Sequence, residues 1–345
     1  MMPDRTALPD WVSGAGPEAD VILSTRARLA RNLASFPFPE RAEPEELAEV
    51  ARLVRSACTG LMKRFPGLKS LRVERLTDAQ RSFLLDARVA SAEQIRGGEG
   101  RIVITDPGGR LSVMVNEEDH LRIQAILPGL APHDAWELVD WADDELAAKL
   151  DYGFSERYGF LTASVSNVGT GLRVSAMMHL AGLAMTRRLN ERLRAAGDLG
   201  VSVRGAFGER SRAAGNLYQV SNEVTLGLPE SEIVERVRSV AQYLLGEERR
   251  AREELIDDGD KRPAEEAKRA LEKLSGLMSV RSAEALGLIS RVRLAAAMGL
   301  VDGCDVSLAN ELIVGVGAAA GDEPVACIER AAVLRRKVRS VRAVS

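Results

Sequence analysis

Cysteine and histidine are both scarce in this sequence, with three residues of each among 345. The cysteines lie far apart and form no CxxC or CxH pattern, which argues against a structural zinc site and a disulfide framework. Three scattered histidines also argue against a multi-histidine metal site. These residues are Cys58, Cys304, Cys327, His120, His133 and His179. We therefore expect reduced cysteines and no metal site built from protein ligands alone.

Long apolar runs are also missing. Every apolar stretch is broken by Arg, Asp or Gly well before the roughly 18 residues of a membrane-spanning helix. The N-terminal MMPDRTALPDWVSG lacks the charged-then-apolar pattern of a secretion signal, so the sequence predicts a cytoplasmic protein without a membrane partner. A net charge of −3 gives no reason to expect nucleic acid as the main partner. The nucleotide-binding motifs GxxxxGK(S/T) and GxGxxG do not occur.

Up to about residue 250 the sequence mixes strand and helix patterns. VILSTRARLA predicts a strand, and PEELAEVARLVRSACTGLMKRF predicts an amphipathic helix. RIVITDPGGRLSVMVNEE contains two β-branched runs joined by DPGG, which indicates a hairpin. An acidic helix from Asp134 to Leu150 comes next. Then we expect YGFLTASVS as a strand, NVGTG as a loop, LRVSAMMHLAGLAMTRRLNERLRAA as a long helix and LGVSVRGAFG as a strand.

The character of the chain changes beyond about Gly246. GEERRAREELIDDGDKRPAEEAKRALEKL is charge-rich and helical, which is typical of a solvated helix face, and the rest alternates helical patterns with short glycine breaks. We predict a mixed α and β catalytic domain over residues 20–250 and a smaller all-helical domain over residues 251–345. The helical domain is where we expect self-association, regulation or adaptor binding.

The run VNEEDHLR places many ionisable residues between apolar ones, which is an expensive arrangement for packing alone. If the run stays extended, its alternation predicts a polar platform on one face and an apolar set on the other. The platform residues are Asn116, Glu118, His120 and Arg122; the apolar residues are Val113, Val115, Leu121 and Ile123. Glu117 and Asp119 would then face the apolar side, so we expect a bulge or turn inside NEED.

Arginines recur on other predicted strand faces. Arg26 and Arg28 alternate within VILSTRARLA, and Arg204 alternates against valines in VSVRGAFGE. In NVGTGLRVS a glycine-rich turn before a predicted helix would offer backbone N–H groups and Arg173 to a phosphate. Each feature alone also suits an exposed edge strand or an ordinary tight turn. An apolar helix around His179 suits a core histidine with satisfied hydrogen bonds. Together the arginines and glutamates predict a site for a polyanion and a cationic substrate.

Four blocks in order, LSTRARLARNLASFPFP, VNEEDHLR, YGFLTASVSNVGTGLR and VRGAFGE, resemble the signature blocks of the phosphagen (guanidino) kinases. Within that family they most resemble the bacterial branch that phosphorylates protein arginine. The resemblance covers roughly residues 20–250. It implies an α+β fold of the guanidino kinase and glutamine synthetase-like type, in which helices flank a curved antiparallel sheet. It also implies ATP lying on that sheet, with Mg²⁺ bridging the phosphates.

The resemblance also assigns roles to individual residues. Arg26, Arg28, Arg122, Arg173 and Arg204 would hold the phosphates. The remaining nucleotide-contacting residues would be Ser24, Thr25, Ala27, Val174, Ser175, Ala176, Met177, Gly205, Ala206, Phe207 and Gly208. Glu118 and Glu209 would flank the acceptor guanidinium, and one of them would take its proton.

Three positions depart from the family pattern. The family's CPTN reads SVSN here, so Ser164 stands where the catalytic cysteine is expected and Val165 where the proline is expected. A serine hydroxyl stays neutral, so we expect lower activity rather than none. A tail motif that binds phosphoarginine is reduced to ACIERA, in which Arg330 and Ala331 survive, which puts the allosteric response in doubt. A family histidine corresponds to Arg88.

These observations leave three functional hypotheses. The first is a protein arginine kinase. Only about 20 residues precede the STRAR strand, where kinases of small guanidino compounds carry a helical lid, so an open site favours a protein acceptor. The second is a catalytically weakened, ATP-binding regulator, and the third is a kinase of a small guanidino metabolite. The resemblance further implies an adaptor or activator, a Clp-type protease and a homodimer, with a role in stress response and protein quality control.

Overall fold

The computed structural model describes residues 8–206 and 213–343. Its strands are β1 (Ile22–Arg31), β2 (Lys69–Arg72), β3 (Ile102–Thr105), β4 (Leu111–Val115), β5 (Leu121–Pro128), β6 (Phe154–Ser155), β7 (Gly159–Phe160), β8 (Leu172–His179), β9 (Val201–Gly205), β10 (Leu217–Asn222), β11 (Val301–Asp302) and β12 (Arg342–Ala343). Its α-helices are α1 (Pro44–Ala57), α2 (Asp78–Asp86), α3 (Ala92–Arg96), α4 (Pro132–Ala147), α5 (Ala181–Met185), α6 (Leu189–Gly197), α7 (Glu230–Asp257), α8 (Arg262–Gly276), α9 (Ser282–Ala297), α10 (Val306–Gly315) and α11 (Pro324–Lys337).

Eight strands pair antiparallel in the order β2-β3-β4-β5-β1-β8-β10-β9. On one face of this sheet, alternate side chains such as Ala27 and Leu29 of β1 enter a core shared with α1, α4 and α7. Leu29 is completely buried, which stabilises the fold by about 2 kcal/mol relative to an exposed leucine. The predicted α+β class, with helices flanking an antiparallel sheet and a helical C-terminal region, is confirmed.

The opposite face of the sheet is divided into two parts. Leu23, Ile126 and Met177 pack in a second core with helices α8 to α11. The rest of that face carries the arginines of the candidate site. Arg293 of α9 anchors the helical region here, because its guanidinium donates to the carbonyl oxygens of Ala19 (2.8 Å) and Asp20 (2.9 Å). The helical region therefore lies directly beside the arginine-bearing surface.

The long helix expected over residues 172–196 is wrong. Residues 172–179 form β8, and the helical part is limited to α5 and α6. The segment contains Ala, Leu and Met, which favour helices, but its side chains alternate between two faces of the sheet. One alternating set is apolar and lies in the main core, namely Leu172, Val174, Ala176 and Met178. Pairing with β1 and β10 overrides the local preference. His179 consequently ends a strand, although it is buried and bonded to Ser290 Oγ at 2.8 Å, as a core histidine should be.

The extended strand expected for YGFLTASVS is also wrong. Only the two residues of β7 pair there, and a 3₁₀ turn follows at Val165–Asn167. The glycine-rich turn therefore leads into a strand, so there is no helix N-terminus to bind phosphate at Arg173. The strands predicted around Arg26 and Arg204, the hairpin and the acidic helix are confirmed. The boundary predicted at residue 250 falls inside α7, and the division into two domains stays a prediction.

Within residues 8–206 and 213–343, no helix combines the length and the apolar character that crossing a bilayer requires.

Candidate active site

Four arginines from three adjacent strands share one face of the sheet. Arg28 of β1 lies opposite Arg173 of β8, and Arg26 lies two residues further along β1, opposite Ser175. Arg122 comes from β5, which pairs with the other edge of β1. The antiparallel register therefore brings together residues that are far apart in sequence, as the alternation of the strands predicts.

This arginine cluster has few counter-charges. The pKa of Arg26 lies well below its usual value. Burial is the larger cause, and the neighbouring cations Arg28, Arg88, Arg122 and Arg173 add to it. Burial and the charges of Arg122 and Arg173 lower the pKa of Arg28 to about 9. The Nε atoms of Arg26 and Arg173 are buried and have no hydrogen-bond partner among the described residues. A cluster of buried, mutually repelling cations with unused donors is suited to bind a polyanion.

Arg122 connects this cluster to two glutamates. Its Nη1 lies 2.7 Å from Glu117 Oε2, and its Nη2 lies 3.3 Å from Glu118 Oε2. The Glu117 side chain is 1% exposed and also accepts a bond from Ser91 Oγ at 2.6 Å, whereas the Glu118 side chain is 44% exposed. Burial and the adjacent Asp119 charge raise the pKa of Glu118. Glu117 therefore fixes Arg122, and Glu118 is free to contact a second substrate.

The rest of the predicted polar platform serves the fold. A turn begins at Asn116, whose φ is +59°, and this interrupts the alternation on which the platform prediction relied. The Asn116 side chain donates from Nδ2 to the backbone oxygens of Leu47 (2.8 Å) and Gly100 (2.9 Å). His120 Nδ1 accepts from the Leu33 amide at 3.1 Å, and burial lowers its pKa to about 4. The expected turn inside NEED is confirmed, but Asn116 and His120 do not face the site.

Asp119 positions the loop that carries Ser164. One of its carboxylate oxygens accepts from the Ala163 amide at 2.7 Å and from Asn32 Nδ2 at 2.6 Å. Ser164 Oγ lies 2.8 Å from Ser166 Oγ. The sequence run NEEDHLR contained this signal, because a buried aspartate next to a turn must find backbone donors.

A cleft of about 100 Å³ joins the two groups of residues. Its lining includes three arginines, one carboxylate and three polar residues of the neighbouring loop, namely Arg28, Arg122, Arg173, Glu118, Ser164, Ser166 and Asn167. Cationic donors and an exposed carboxylate therefore face the same small space. This arrangement can hold an anionic group and a cationic group in contact with each other.

The other predicted nucleotide contacts divide by strand face. Four of them point away from the arginines. Three of these four lie in the main core, namely Ala27, Val174 and Ala176. The fourth is Thr25, whose Oγ1 donates to Gly129 O at 2.7 Å. Only the backbone of these four residues is left for a nucleotide. Ser24, Ser175 and Met177 are on the arginine face, but Met177 packs under the helical region.

The third predicted segment lies on the edge strand β9. The exposed Arg204 donates from Nε to Ser202 Oγ at 2.9 Å, and its charge lowers the pKa of Arg173, after the larger effect of burial. It is therefore near the cluster. Gly205 and Ala206 follow it, and Ala206 packs against the second core. Phe207, Gly208 and Glu209 lie outside the described residues.

Arg88 is a further cation at the site. Its φ is +61°, and its carbonyl accepts from Gln124 Nε2 at 2.9 Å beside the arginine face. Burial lowers its pKa to about 10, and its charge acts on Arg26 and Arg28. The arginine at the position of the family histidine thus adds to the positive potential.

A family model described as ATP:guanido phosphotransferase, C-terminal catalytic domain, matches residues 49–251. This chain belongs to the ATP:guanido phosphotransferase family. A protein-arginine kinase of Halothermothrix orenii is 42% identical to this phosphotransferase over 253 residues, which is 73% of this chain and 71% of the relative. One of Bacillus subtilis is 39% identical over 254 residues, which is 73% of this chain and 69% of the relative.

Solved structures agree with the fold of the phosphotransferase. A lombricine kinase superimposes with a TM-score of 0.61 at 23% identity, covering 73% of this chain and 72% of that one. The substrate-free duplicated taurocyamine kinase of Schistosoma mansoni gives a TM-score of 0.58 at 24% identity, covering 72% of this chain and 36% of that one. The family resemblance of the four sequence blocks is therefore confirmed.

Proposed function

We propose that this chain transfers the γ-phosphoryl group of Mg-ATP to a guanidinium nitrogen of arginine side chains in proteins. The observation that carries this proposal is the cleft in which Arg28, Arg122 and Arg173 face Glu118 and Ser164. The relatives named protein-arginine kinase support the choice of acceptor.

The arginine cluster is the donor side of the site. Phosphoryl transfer proceeds through a loose transition state whose charge is spread over the equatorial oxygens, so catalysis is mainly positioning and electrostatic stabilisation. Arg26 and Arg173 have buried Nε–H donors without a partner among the described residues, and these fit phosphate oxygens. Arg28 is placed between them by the register of β1 and β8. ATP would supply the transferred group, and these side chains would orient it and neutralise its charge.

Mg²⁺ enters the proposal with the nucleotide. No group of three or more His, Cys, Asp or Glu within the described part of the chain is arranged to hold a metal ion. Phosphate oxygens and water are the ligands that Mg²⁺ prefers in such sites. The ion would therefore be held chiefly by ATP.

Glu118 is the acceptor side of the site. A guanidinium has a pKa above about 12, so it is a poor nucleophile until a proton is removed. A carboxylate can bind two of its N–H groups and accept the proton as the new N–P bond forms and the bond from the γ-phosphorus to the departing ADP oxygen breaks. Glu118 is exposed toward the cleft, and its raised pKa makes it a stronger base than an ordinary glutamate. Glu209 stays a predicted partner in this step.

The test is a transfer assay with two acceptors. Purified protein is incubated with Mg²⁺ and γ-labelled ATP, with casein in one reaction and free arginine in another. Acid-labile label on casein arginines supports the proposal. Label on free arginine alone would instead assign the chain to the kinases of small guanidino compounds.

A weakened regulator is the second candidate, and two observations favour it. Ser164 lacks a thiol that can ionise. Arg330, the surviving arginine of ACIERA, is buried and directs its donors to Val316 O, Gly321 O and Asp322 Oδ1 at 2.5, 2.6 and 2.9 Å. Its guanidinium is thus committed to the fold. Nucleotide binding without transfer to either acceptor would support this candidate.

The proposal extends to location and partners. ATP-dependent modification of proteins places the enzyme in the cytoplasm, with arginine-bearing proteins as substrates. A homodimer through the helical region, an adaptor or activator, a Clp-type protease and a role in protein quality control under stress remain part of the proposal. Exposed apolar side chains on or near α11, namely Met278, Val325 and Ile328, offer a surface for such contacts.

A further inference from the structure

Exposed apolar side chains are concentrated beside the acceptor side of the cleft. Among the described residues, eleven large apolar side chains are exposed, and five of them fall in two short segments, residues 154–165 and 224–226. We call these five the acceptor rim. They are Phe154, Tyr158, Val165, Val224 and Leu226. Single exposed apolar residues need no explanation, but a concentration of them in two segments next to a cleft does.

Hydrogen bonds hold the two segments of the acceptor rim together. Thr225 is buried between two exposed rim residues, and its hydroxyl donates to Ser166 O (3.0 Å) and Val168 O (2.7 Å). The Thr170 amide donates back to Thr225 O at 3.0 Å. The Phe160 amide donates to Gly169 O at 2.8 Å, which attaches the β6–β7 hairpin. The rim is therefore a fixed surface.

Val165 connects the rim to the cleft. It lies between Ser164 and Ser166, both of which line the cleft, and its side chain is 87% exposed on the 3₁₀ turn. No packing in the described part of the chain accounts for an apolar side chain at this position. A substrate that places a guanidinium against Glu118 must pass close to Val165.

We propose that the acceptor rim binds an apolar side chain two residues from the target arginine, in an extended segment of a substrate protein. This inference rests on the proposed function and adds a specificity to it. The occupant follows from continuity, because the rim adjoins the cleft that receives the guanidinium. In an extended segment successive side chains point to opposite faces, so a side chain two residues from the arginine lies on the same face as its guanidinium. Arginines in apolar surroundings are thus preferred over arginines in polar linkers.

The test uses two synthetic peptides that contain a single arginine and differ at two positions only. One peptide has leucine two residues before the arginine and valine two residues after it, and the other has serine at both positions. The ratio of kcat/KM for the two peptides is measured for wild type, Val165→Ser and Leu226→Ser. Peptide binding is measured separately by fluorescence anisotropy in the presence of a non-hydrolysable ATP analogue.

Ile256→Ser is the matched control. Ile256 is as exposed as the rim residues, at 57%. It lies 26 residues beyond the start of α7 at Glu230, which is about 39 Å along the helix.

We expect wild type and Ile256→Ser to favour the apolar-flanked peptide by at least about fivefold, mainly through KM. Val165→Ser and Leu226→Ser should reduce this ratio toward one, in both kcat/KM and anisotropy. Equal phosphorylation of the two peptides by wild type, or a ratio that the rim variants leave intact, would overturn the inference while leaving the proposed function in place. A binding preference that the rim variants abolish, without phosphorylation of either peptide, would support the rim and refute the proposed function.

Discussion

Replacing a buried residue usually destabilises a protein, but we expect the opposite for a buried arginine of this cluster. Arg28 lies near Arg122 and Arg173, and burial together with these charges lowers its pKa to about 9. The charged form therefore destabilises the fold when no anion is bound. Because the folded pKa is depressed, this cost is present at pH 7 and is relieved only as the pH rises above about 9. We predict that Arg28→Met stabilises the nucleotide-free protein.

The size of the effect follows from the pKa difference. The lowering of the Arg28 pKa to about 9 corresponds to about 5 kcal/mol at face value. Side-chain rearrangement and water reduce such penalties, so we expect Arg28→Met to raise the free energy of unfolding by about 1 to 3 kcal/mol. A bound polyanion reverses the balance, because it stabilises the folded state by a free energy that rises with the logarithm of its affinity. Saturating Mg-ATP should therefore stabilise wild type more than the variant.

The assay is urea unfolding at pH 7, with and without a non-hydrolysable ATP analogue. Arg236→Met is the control, because Arg236 makes an exposed pair with Glu232 at 2.9 Å whose loss costs less than about 1 kcal/mol. A nucleotide-free Arg28→Met protein less stable than wild type would refute the electrostatic reasoning. Equal stabilisation of both proteins by the analogue would refute the assignment of the cluster to phosphate.

Three further predictions concern single carboxyl and hydroxyl groups. Ser164→Cys should raise kcat severalfold, and the gain should increase with pH as the thiol ionises near about 8.5; a pH–rate profile without this rise would contradict it. Asp119→Asn weakens the hydrogen bond from the Ala163 amide, so we expect the free energy of unfolding to fall by about 1 to 3 kcal/mol. The KM for the protein acceptor should rise, with little change in ATP affinity. An equal loss of affinity for ATP and for the protein acceptor would count against this role. Burial raises the pKa of Asp86 to about 6. At neutral pH the carboxylate is ionised and its burial lowers the stability of the fold, whereas at acid pH it is protonated and this cost is absent. An asparagine in Asp86→Asn can still accept from the Ala319 amide and should stabilise the protein by about 1 kcal/mol at pH 7. Unfolding curves measured over a range of pH should show that this gain disappears below about pH 4.

The sequence predicted the site better than it predicted the elements that hold the site. Alternation within a strand is a local property, so Arg26 and Arg28 were correctly placed on one face before any pairing was known. That Arg173 belongs beside them could not be derived from its local sequence. LRVSAMMH has strong helix formers, and only pairing with β1 and β10 makes it a strand.

The role of Glu117 shows a second limit of sequence reasoning. Simple alternation assigned it to the apolar side, because alternation assumes an uninterrupted strand. The positive φ of Asn116 turns the chain, and Glu117 becomes the buried partner of Arg122. The contact depends on a turn geometry that side-chain periodicity does not encode. The family resemblance had already grouped the arginines around Arg26, but their burial and mutual repulsion were visible only after the strands were paired.

The central claim is that Glu118 and the arginine cluster act on opposite sides of one phosphoryl transfer. The most direct test is the rate of γ-phosphoryl transfer to casein by wild type and Glu118→Gln, with ATP affinity measured on the same samples. Glu253→Gln, which changes an exposed helix carboxylate, is the control. We predict at least about a hundredfold loss of kcat for Glu118→Gln with nearly unchanged ATP affinity. Transfer by Glu118→Gln at the wild-type rate would contradict the account.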